Sequence, residues 1–598
     1  MAPFLARWAR YFPKQLAPLA LPLALAACHD AARPAADERH VFRYNQPEAL
    51  TSLDPAFARN QANSWAVSQL YNGLLELDST LTPAPALARR YQISPDGLTY
   101  TFVLRKDVFF HENKEVFQPS ADDIKALENQ ELKDHPGRSR ADVEKYGTES
   151  YPVATRQVVA QDFVYSFKRL LDKSTASPGG WIFRGKVLEN KDGEISDTCF
   201  VAVNDSTLRI HLKEPFIPFL GILTMPYAFV VPREAVENYG KDFREHPVGT
   251  GPFQFRLWDE GNVLLYHRNP SYWRRDEKNR TLPYLDAVAI SFIVDRKTEF
   301  LTFLQGKLDF LSGIREGSRD LVMNTDGTIR ADFQGRFVVQ KAPYLNTEYL
   351  GIQLDSTNLS GEQAIQGRAL RDVRVRQALQ YALNKPELLA YVLNHVGKPG
   401  TSGFVPDALP SFSEKEVPGY SYQPQKARQL LREAGYGPGR PLRLRLSTVA
   451  ERKAISEYLQ KNWADAGIQV QIDINQSATQ QELVSGGRAA FFAGSWLGDY
   501  PDAENYLSLF YSPNFSPAGP DKTHFKSTAY DKLYDQARRE VDLAKRTALY
   551  QAMDRIVVAE SPVIPLYYDQ VVRLTQNNVR GLKANPMNQL LLERVRKD

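Results

Sequence analysis

The chain is short of several things, and each shortage removes a class of explanation. Its 598 residues hold only two cysteines, Cys28 and Cys199, so neither a disulfide framework nor a cysteine-rich metal site organises it. Nine histidines are scattered, with no two at metal-ligand spacing. FHENKEVF (110–117) reads HExxE where a zinc protease needs HExxH, so no metal site is expected. Charge of one sign is lacking too. The formal balance is +4, and setting aside the segment before Cys28, with Arg7, Arg10 and Lys14, leaves 71 basic against 70 acidic residues. Nucleic acid is therefore not an expected partner. Phosphate-binding and nucleophile signatures are missing as well. GYGPGR (435–440) has no GK[ST] ending, PVGTGPF (247–253) is too short for dinucleotide binding, and the serine of AGSWLG is not in a GxSxG elbow. No catalytic residue and no cofactor is expected. A spatial acid–base pair among the many carboxylates is the one catalytic arrangement left open.

With 43% hydrophobic and 24% charged residues the composition is that of a globular protein. The length suggests roughly two to four domains. The first residues follow an export pattern: a basic start, then LAPLALPLALAA (16–27), too short and Pro-broken for a membrane span. LAAC (25–28) resembles the bacterial lipobox, which implies cleavage after residue 27 and a lipid on Cys28. Ordinary export with cleavage nearby is the alternative. Residues 28–38 read as anchor and tether, and no later segment approaches an uninterrupted membrane span. Cys199, in DTCFVAV, reads as a small buried residue of a strand.

Strand-like runs (YTFVLR, TLRIHL, NVLLYH, AVAISFIV) alternate with amphipathic helices (VRVRQALQYALN and KARQLLREAGY, the latter closed by Gly435). The mixture predicts an α/β architecture of several lobes. Residues 118–157, charged and nearly free of large apolar side chains, read as a surface insertion.

The stretch GSWLGDYPDAENY (494–506) poses the functional question. The preceding AAFFAG is strand-like, Gly498 and Pro501 mark a turn, and Asp502 is placed to cap a new helix. Asp499 then stands at a strand end between Trp496 and Tyr500. From the residues alone it is either an Asx turn or a charge presented to a ligand.

Eleven stretches occur in a fixed order that is specific although each is weak: LTSLDPAFARN, QLYNGLLELD, ISPDGLTYTFVLRKDVFFH, QDFVYSFKRLLD, HPVGTGPFQF, RNPSYWR, LQGKLDF, RDVRVRQALQYALNK, KARQLLREAGYGPG, WADAGIQVQI and GSWLGDYPD. Together they resemble the family 5 extracytoplasmic solute-binding proteins of ABC importers, the oligopeptide and dipeptide receptors, from about residue 40 onwards. The resemblance implies a bilobal periplasmic-binding-protein fold of type II with a hinge and an extra domain. It places one lobe at 39–72, 199–289 and 561–598, the extra domain at 73–198, and the second lobe at 290–560. It also implies a peptide site: Asp499 on the ligand α-amine, the backbone of Ser495, Trp496 and Leu497 as one groove edge, Tyr500 beside it, and Arg59, Asn60 and Gln61 as the opposite edge. Short peptides, the subunits of an ABC permease and, through the lipid, a membrane are the implied partners of a monomer. The protein would face the periplasm or the cell exterior.

Three departures qualify the likeness. Residues 118–157 interrupt a stretch that the family usually runs through without a break. Ala493 stands where some members have an arginine for ligand carboxylates, and Gly179 where some have a groove aromatic, which suggests either a wider pocket or a different cargo. The rival readings are a non-peptide cargo (a metal chelate, a glycan or haem), a peptide sensor that does not import, and an enzyme or chaperone acting on exported polypeptides. PVGTGPF reads as a tight turn, Asp372 as a helix start, SYW (271–273) as packing beneath the first lobe, and Trp181 as either core or groove.

Overall fold

The alternation of strand-like and helical patterns resolves into one large mixed sheet flanked by helices, with a smaller sheet beside it. The computed structural model describes residues 40–598 apart from most of 118–153, Gly193 and 314–321. The expected leader, lipid-bearing Cys28 and tether, and most of the insertion, lie outside the described residues. In chain order the strands are β1 (Val41–Asn45), β2 (Leu75–Leu77), β3 (Pro83–Pro85), β4 (Ala88–Ile93), β5 (Thr99–Leu104), β6 (Phe200–Asn204), β7 (Thr207–His211), β8 (Phe253–Asp259), β9 (Val263–Arg268) and β10 (Ala287–Ser291). They continue with β11 (Phe310–Ser312), β12 (Phe337–Ile352), β13 (Lys398–Pro399), β14 (Leu442–Val449), β15 (Ile468–Asn475), β16 (Phe491–Leu497), β17 (Val563–Gln576), β18 (Val579–Arg580) and β19 (Arg596–Lys597).

The large sheet runs β15-β14-β16-β12-β17-β11-β1-β10-β9-β8, with β13 pairing β17. Its centre is the antiparallel pair β12 and β17, two strands long enough to belong to both lobes. Phe337–Pro343 pair with Gln576–Gln570 on the β1 side, and Thr347–Gly351 pair with Tyr568–Val563 on the β14 side. Between them the register shifts, so that Tyr344–Asn346 stand opposite Asp569 alone. Pro343 has no N–H to continue the ladder, and extra residues on one strand bend a ribbon. A doubled strand with a bulge at mid-length is a joint that bends without sliding.

A separate four-stranded sheet runs β4-β5-β7-β6. Residues 200–211, assigned from sequence to the first lobe, pair with β5. Residues 310–312, assigned to the second, lie between β17 and β1. Apolar packing follows the sheets: one cluster joins β1 and β10 to the small sheet, and two others fill the β14–β16 side.

Several quoted stretches turn out to be joints of this frame. Asp54 of LDP accepts from Ala56 N and takes both guanidinium nitrogens of Arg169, from the QDFVYSFKRLLD helix, Nη1 at 2.8 Å to Oδ1. Gly249 and Gly251 lie so close to the backbone of Leu70 that a Cβ on either would fall 2.0 and 2.4 Å from its atoms. His111 is buried between them, its Nδ1 accepting from Gly249 N at 3.3 Å and its Nε2 3.1 Å from Gly251 O. Burial holds the imidazole down at about 4, so it is neutral and structural. Asp372 caps the helix Val373–Tyr381, Gly435 takes φ +85° after the helix Pro424–Glu433, and Cys199 is fully buried and free. The guanidiniums of Arg105 and Arg274 lie 4.6 and 4.5 Å from the Trp273 ring centroid, and buried Tyr272 donates to Glu593. No helix of the described residues is long and apolar enough to cross a membrane.

Candidate functional site

Strand β16 begins in the core with Phe491 and Phe492 and ends at the surface with Leu497, 46% exposed. It pairs with β12 along its whole length, from Phe491 opposite Ile352 to Leu497 opposite Asn346. Its other edge meets β14 only at Phe492, opposite Ser447, after which β14 turns away into the single turn Ala450–Arg452. Gly494–Leu497 therefore present an edge that no strand of the described residues covers. Such a row of backbone donors and acceptors, placed where parallel strands diverge at their carboxyl ends, is a template for an added strand.

Asn505 builds the end of this edge. Its Oδ1 accepts from Trp496 Nε1 at 2.9 Å and from Asp499 N at 3.1 Å, and its Nδ2 donates to Asp499 Oδ2 at 3.2 Å. Asp502 accepts from Glu504 N at 2.9 Å and starts the helix Ala503–Leu507, which carries Asn505. The Asp499 side chain is mostly covered, and its carboxyl is raised above the usual aspartate range. Burial is the largest cause, opposed by the Asn505 bond and by the charge of Lys186.

Tyr500, expected beside the ligand, is 4% exposed and packs on Gly221, where a Cβ would lie 3.5 Å from its ring. Its hydroxyl donates to Glu504, as does that of Tyr534.

The expected opposite edge is more committed than the first. Asn60 is the N-cap of the helix Gln61–Leu70: its side chain accepts from Asn63 N at 2.9 Å and its carbonyl from Ser64 N at 2.9 Å. Gln61 opens that helix and is exposed. Arg59 is exposed and electrostatically linked to Tyr227, which also senses Asp499; burial, then Asp499, pushes the phenol up to about 12 against the pull of Arg59. Tyr227 also accounts for Gly179. A Cβ there would lie 2.3 Å from the Tyr227 ring, so the space expected to widen the pocket is filled from another segment.

Two cations near the edge escaped the sequence reading. Arg452 Nη2 donates to Ser495 Oγ at 3.0 Å while Nε donates to Glu348 at 3.0 Å. Lys186 Nζ donates to Trp181 O at 3.0 Å and lies over the Trp181 ring, which is 36% exposed. Neither has a local motif: Arg452 reaches β16 from a distant segment, and Lys186 acts on Asp499 and Glu504 only through its charge. Among the described residues no cluster of three or more metal-ligating side chains occurs.

A large mixed sheet crossed by two shared strands, with an uncovered strand edge beside a recessed carboxylate, defines a bilobal solute-binding protein of type II. Residues 82–517 match the family model of bacterial extracellular solute-binding proteins, family 5, and the chain belongs to that family. It is 26% identical over 545 residues to the glutathione-binding protein GsiB of Shigella flexneri serotype 5b, covering 90% of each chain. The dipeptide-binding protein of Escherichia coli strain K12 is also 26% identical over 545 residues, with 88% of each covered. Among solved structures, the periplasmic binding protein DppA of Helicobacter pylori in complex with the peptide STSA superposes with a TM-score of 0.67 at 22% identity. That match covers 93% of this chain and 98% of the other.

Proposed function

We propose that the chain is a lipid-anchored receptor that captures short peptides outside the cytoplasmic membrane and delivers them to an ABC import permease. The observation that carries this reading is the uncovered edge Gly494–Leu497 ending at Asp499. A peptide offers one ammonium terminus and a row of backbone groups, whatever its side chains. Asp499 meets the ammonium in a charge-assisted bond worth roughly 1.5–3 kcal/mol. The edge pairs with the peptide backbone without regard to sequence. Trp496, held by Asn505, and the Arg59 side of the cleft close over side chains of varied shape. Arg452, beside Ser495, supplies the carboxylate partner for which Ala493 has no group. The relatives named for glutathione and dipeptide binding support a short peptide as cargo. The lipid on Cys28 rests on the lipobox alone.

The test is mass spectrometry of whatever co-purifies with residues 29–598 and is released by mild denaturation, paired with Asp499→Asn. A mixture of short peptides lost in the variant is the expected result. A single non-peptide species retained by the variant overturns the amine anchor and moves the cargo to a metal chelate, glycan or haem.

A further inference from the structure

The uncovered edge of β16 and the bend at mid-length of β12 and β17 are joined by a line of polar side chains. Ser495, exposed on that edge, accepts at Oγ from Arg452 Nη2 at 3.0 Å. The same Nη2 lies 3.3 Å from Glu348 Oε1, and Arg452 Nε donates to Glu348 Oε2 at 3.0 Å. Glu348 stands directly opposite Ser495 in the β12–β16 ladder. Its Oε1 also accepts from Asn346 Nδ2 at 3.2 Å, and the same amide nitrogen donates to Asp569 Oδ2 at 3.3 Å. Asp569 is the β17 residue that faces the bulged stretch Tyr344–Asn346. The line therefore runs without a gap from the ligand edge to the point where the doubled strand bends.

Two features make this line able to switch. Glu348 Oε1 is shared, since Arg452 and Asn346 both donate to it. Asn346 is 7% exposed, and its Oδ1 has no partner among the described residues. A buried acceptor left unfilled works against the arrangement that holds it, so the Asn346 amide is not locked in place. An anion arriving at Arg452 draws Nη2 away from Oε1. Glu348 then takes a larger share of the Asn346 amide at the expense of Asp569, and the tie across the bulge loosens.

We propose that Asn346 is a positioning residue that relays the arrival of a ligand carboxylate at Arg452 to the hinge, so that a free C-terminus promotes closure as well as binding. Asn346 meets no ligand and acts through Glu348 and Arg452. The proposal rests on the reading of Arg452 as the carboxylate partner. Because coupling is reciprocal, the bent state also holds the carboxylate more tightly.

The test is double electron–electron resonance on residues 29–598 carrying spin labels at Arg256→Cys and Gln469→Cys. Both positions are exposed, on β8 and β15 at the two ends of the large sheet, and Cys199 is buried. The probes are a randomised mixture of di- and tripeptides with free C-termini and the same mixture amidated, each raised until the distance trace stops changing. In the wild type the free acids are expected to shift the distance distribution further than the amides. In Asn346→Ala the two probes give the same distribution, and stopped-flow release of the free acids is about fivefold faster or more, with association unchanged within a few-fold. Asp569→Asn, which keeps the shape and removes the charge, gives the same loss, and the double variant adds nothing further. Thermal melts report folding, and the two probes are compared within one protein, so a general loss of stability does not mimic the effect. If Asn346→Ala does not fold, Asp569→Asn carries the test. A wild-type difference between probes that survives in the variants overturns the proposal. Equal distributions with both probes in the wild type overturn it too and leave the peptide receptor standing. No binding of either probe by the wild type in calorimetry removes both.

Discussion

Two carboxylates five residues apart, Asp499 in a bend and Glu504 in the helix that follows it, meet opposite fates. Both are raised above the usual range by burial. Glu504 is 4% exposed and accepts a phenol from each side, Tyr500 and Tyr534. Asp499 accepts from one side-chain amide, that of Asn505, while both carboxylates feel the charge of Lys186. Burial alone thus does not mark a binding group. What separates a structural carboxylate from a receptive one is how many of its lone pairs the protein itself has filled.

Exchanging the two roles gives the largest expected effects. Asp499→Asn keeps the shape and the Asn505 contact but removes the charge. It is expected to weaken a free-amine peptide by about tenfold to a hundredfold in calorimetry, with little change in melting temperature. The same variant is expected to remove the pH dependence of binding. An ammonium ligand needs the ionised carboxylate, so affinity is full above the raised pKa of Asp499 and falls as pH drops through it. The loss then begins at a higher pH than the ordinary value of 3.8 would give.

Glu504→Gln should do the reverse. It leaves two buried phenols competing for one acceptor, and is expected to cost about 2 kcal/mol of stability in denaturant unfolding. Peptide affinity of the folded fraction is retained within a few-fold. If Glu504→Gln weakens binding as much as Asp499→Asn, the distinction between the two carboxylates fails.

Asn505→Ala sharpens the comparison, because Asn505 orients Asp499 and Trp496 without meeting the ligand. A loss of about 1 kcal/mol in affinity is expected, and Asn505→Asp, which keeps the acceptor oxygen, should restore part of it. The smallest effect belongs to the far side of the same contact. Glu214 pairs with Arg538 at 2.7 Å and Arg539 at 3.1 Å, and Ile217 N donates to Arg538 O at 3.0 Å, tying the 214–221 segment to the end of the helix Thr528–Ala537. These side chains are partly exposed, so Glu214→Gln is expected to cost under about 1 kcal/mol. It should appear as a few-fold faster peptide release in stopped-flow measurements.

What could be read from the sequence was local. Asp372, Asp502 and Gly435 announce helix ends because a cap or a left-handed residue acts within a few positions, and each stands where expected. The motif order pointed to the family because it spans the chain. The rest depended on contacts distant in sequence. Tyr227 fills the space over Gly179 from 48 positions away, Arg452 reaches Ser495 from 43, and Tyr500 packs on Gly221 from the far end of the chain. The strands at 200–211 joined the smaller sheet because their pairing partner, β5, lies about a hundred residues earlier.

The central claim is that the Asp499 carboxylate receives a ligand's free amine, and one measurement meets it directly: calorimetric affinity of a short peptide before and after N-acetylation, in the wild type and in Asp499→Asn. Acetylation is expected to weaken binding by the wild type at least tenfold and to leave the variant nearly unchanged. Equal affinity of both forms for the wild type would contradict the account.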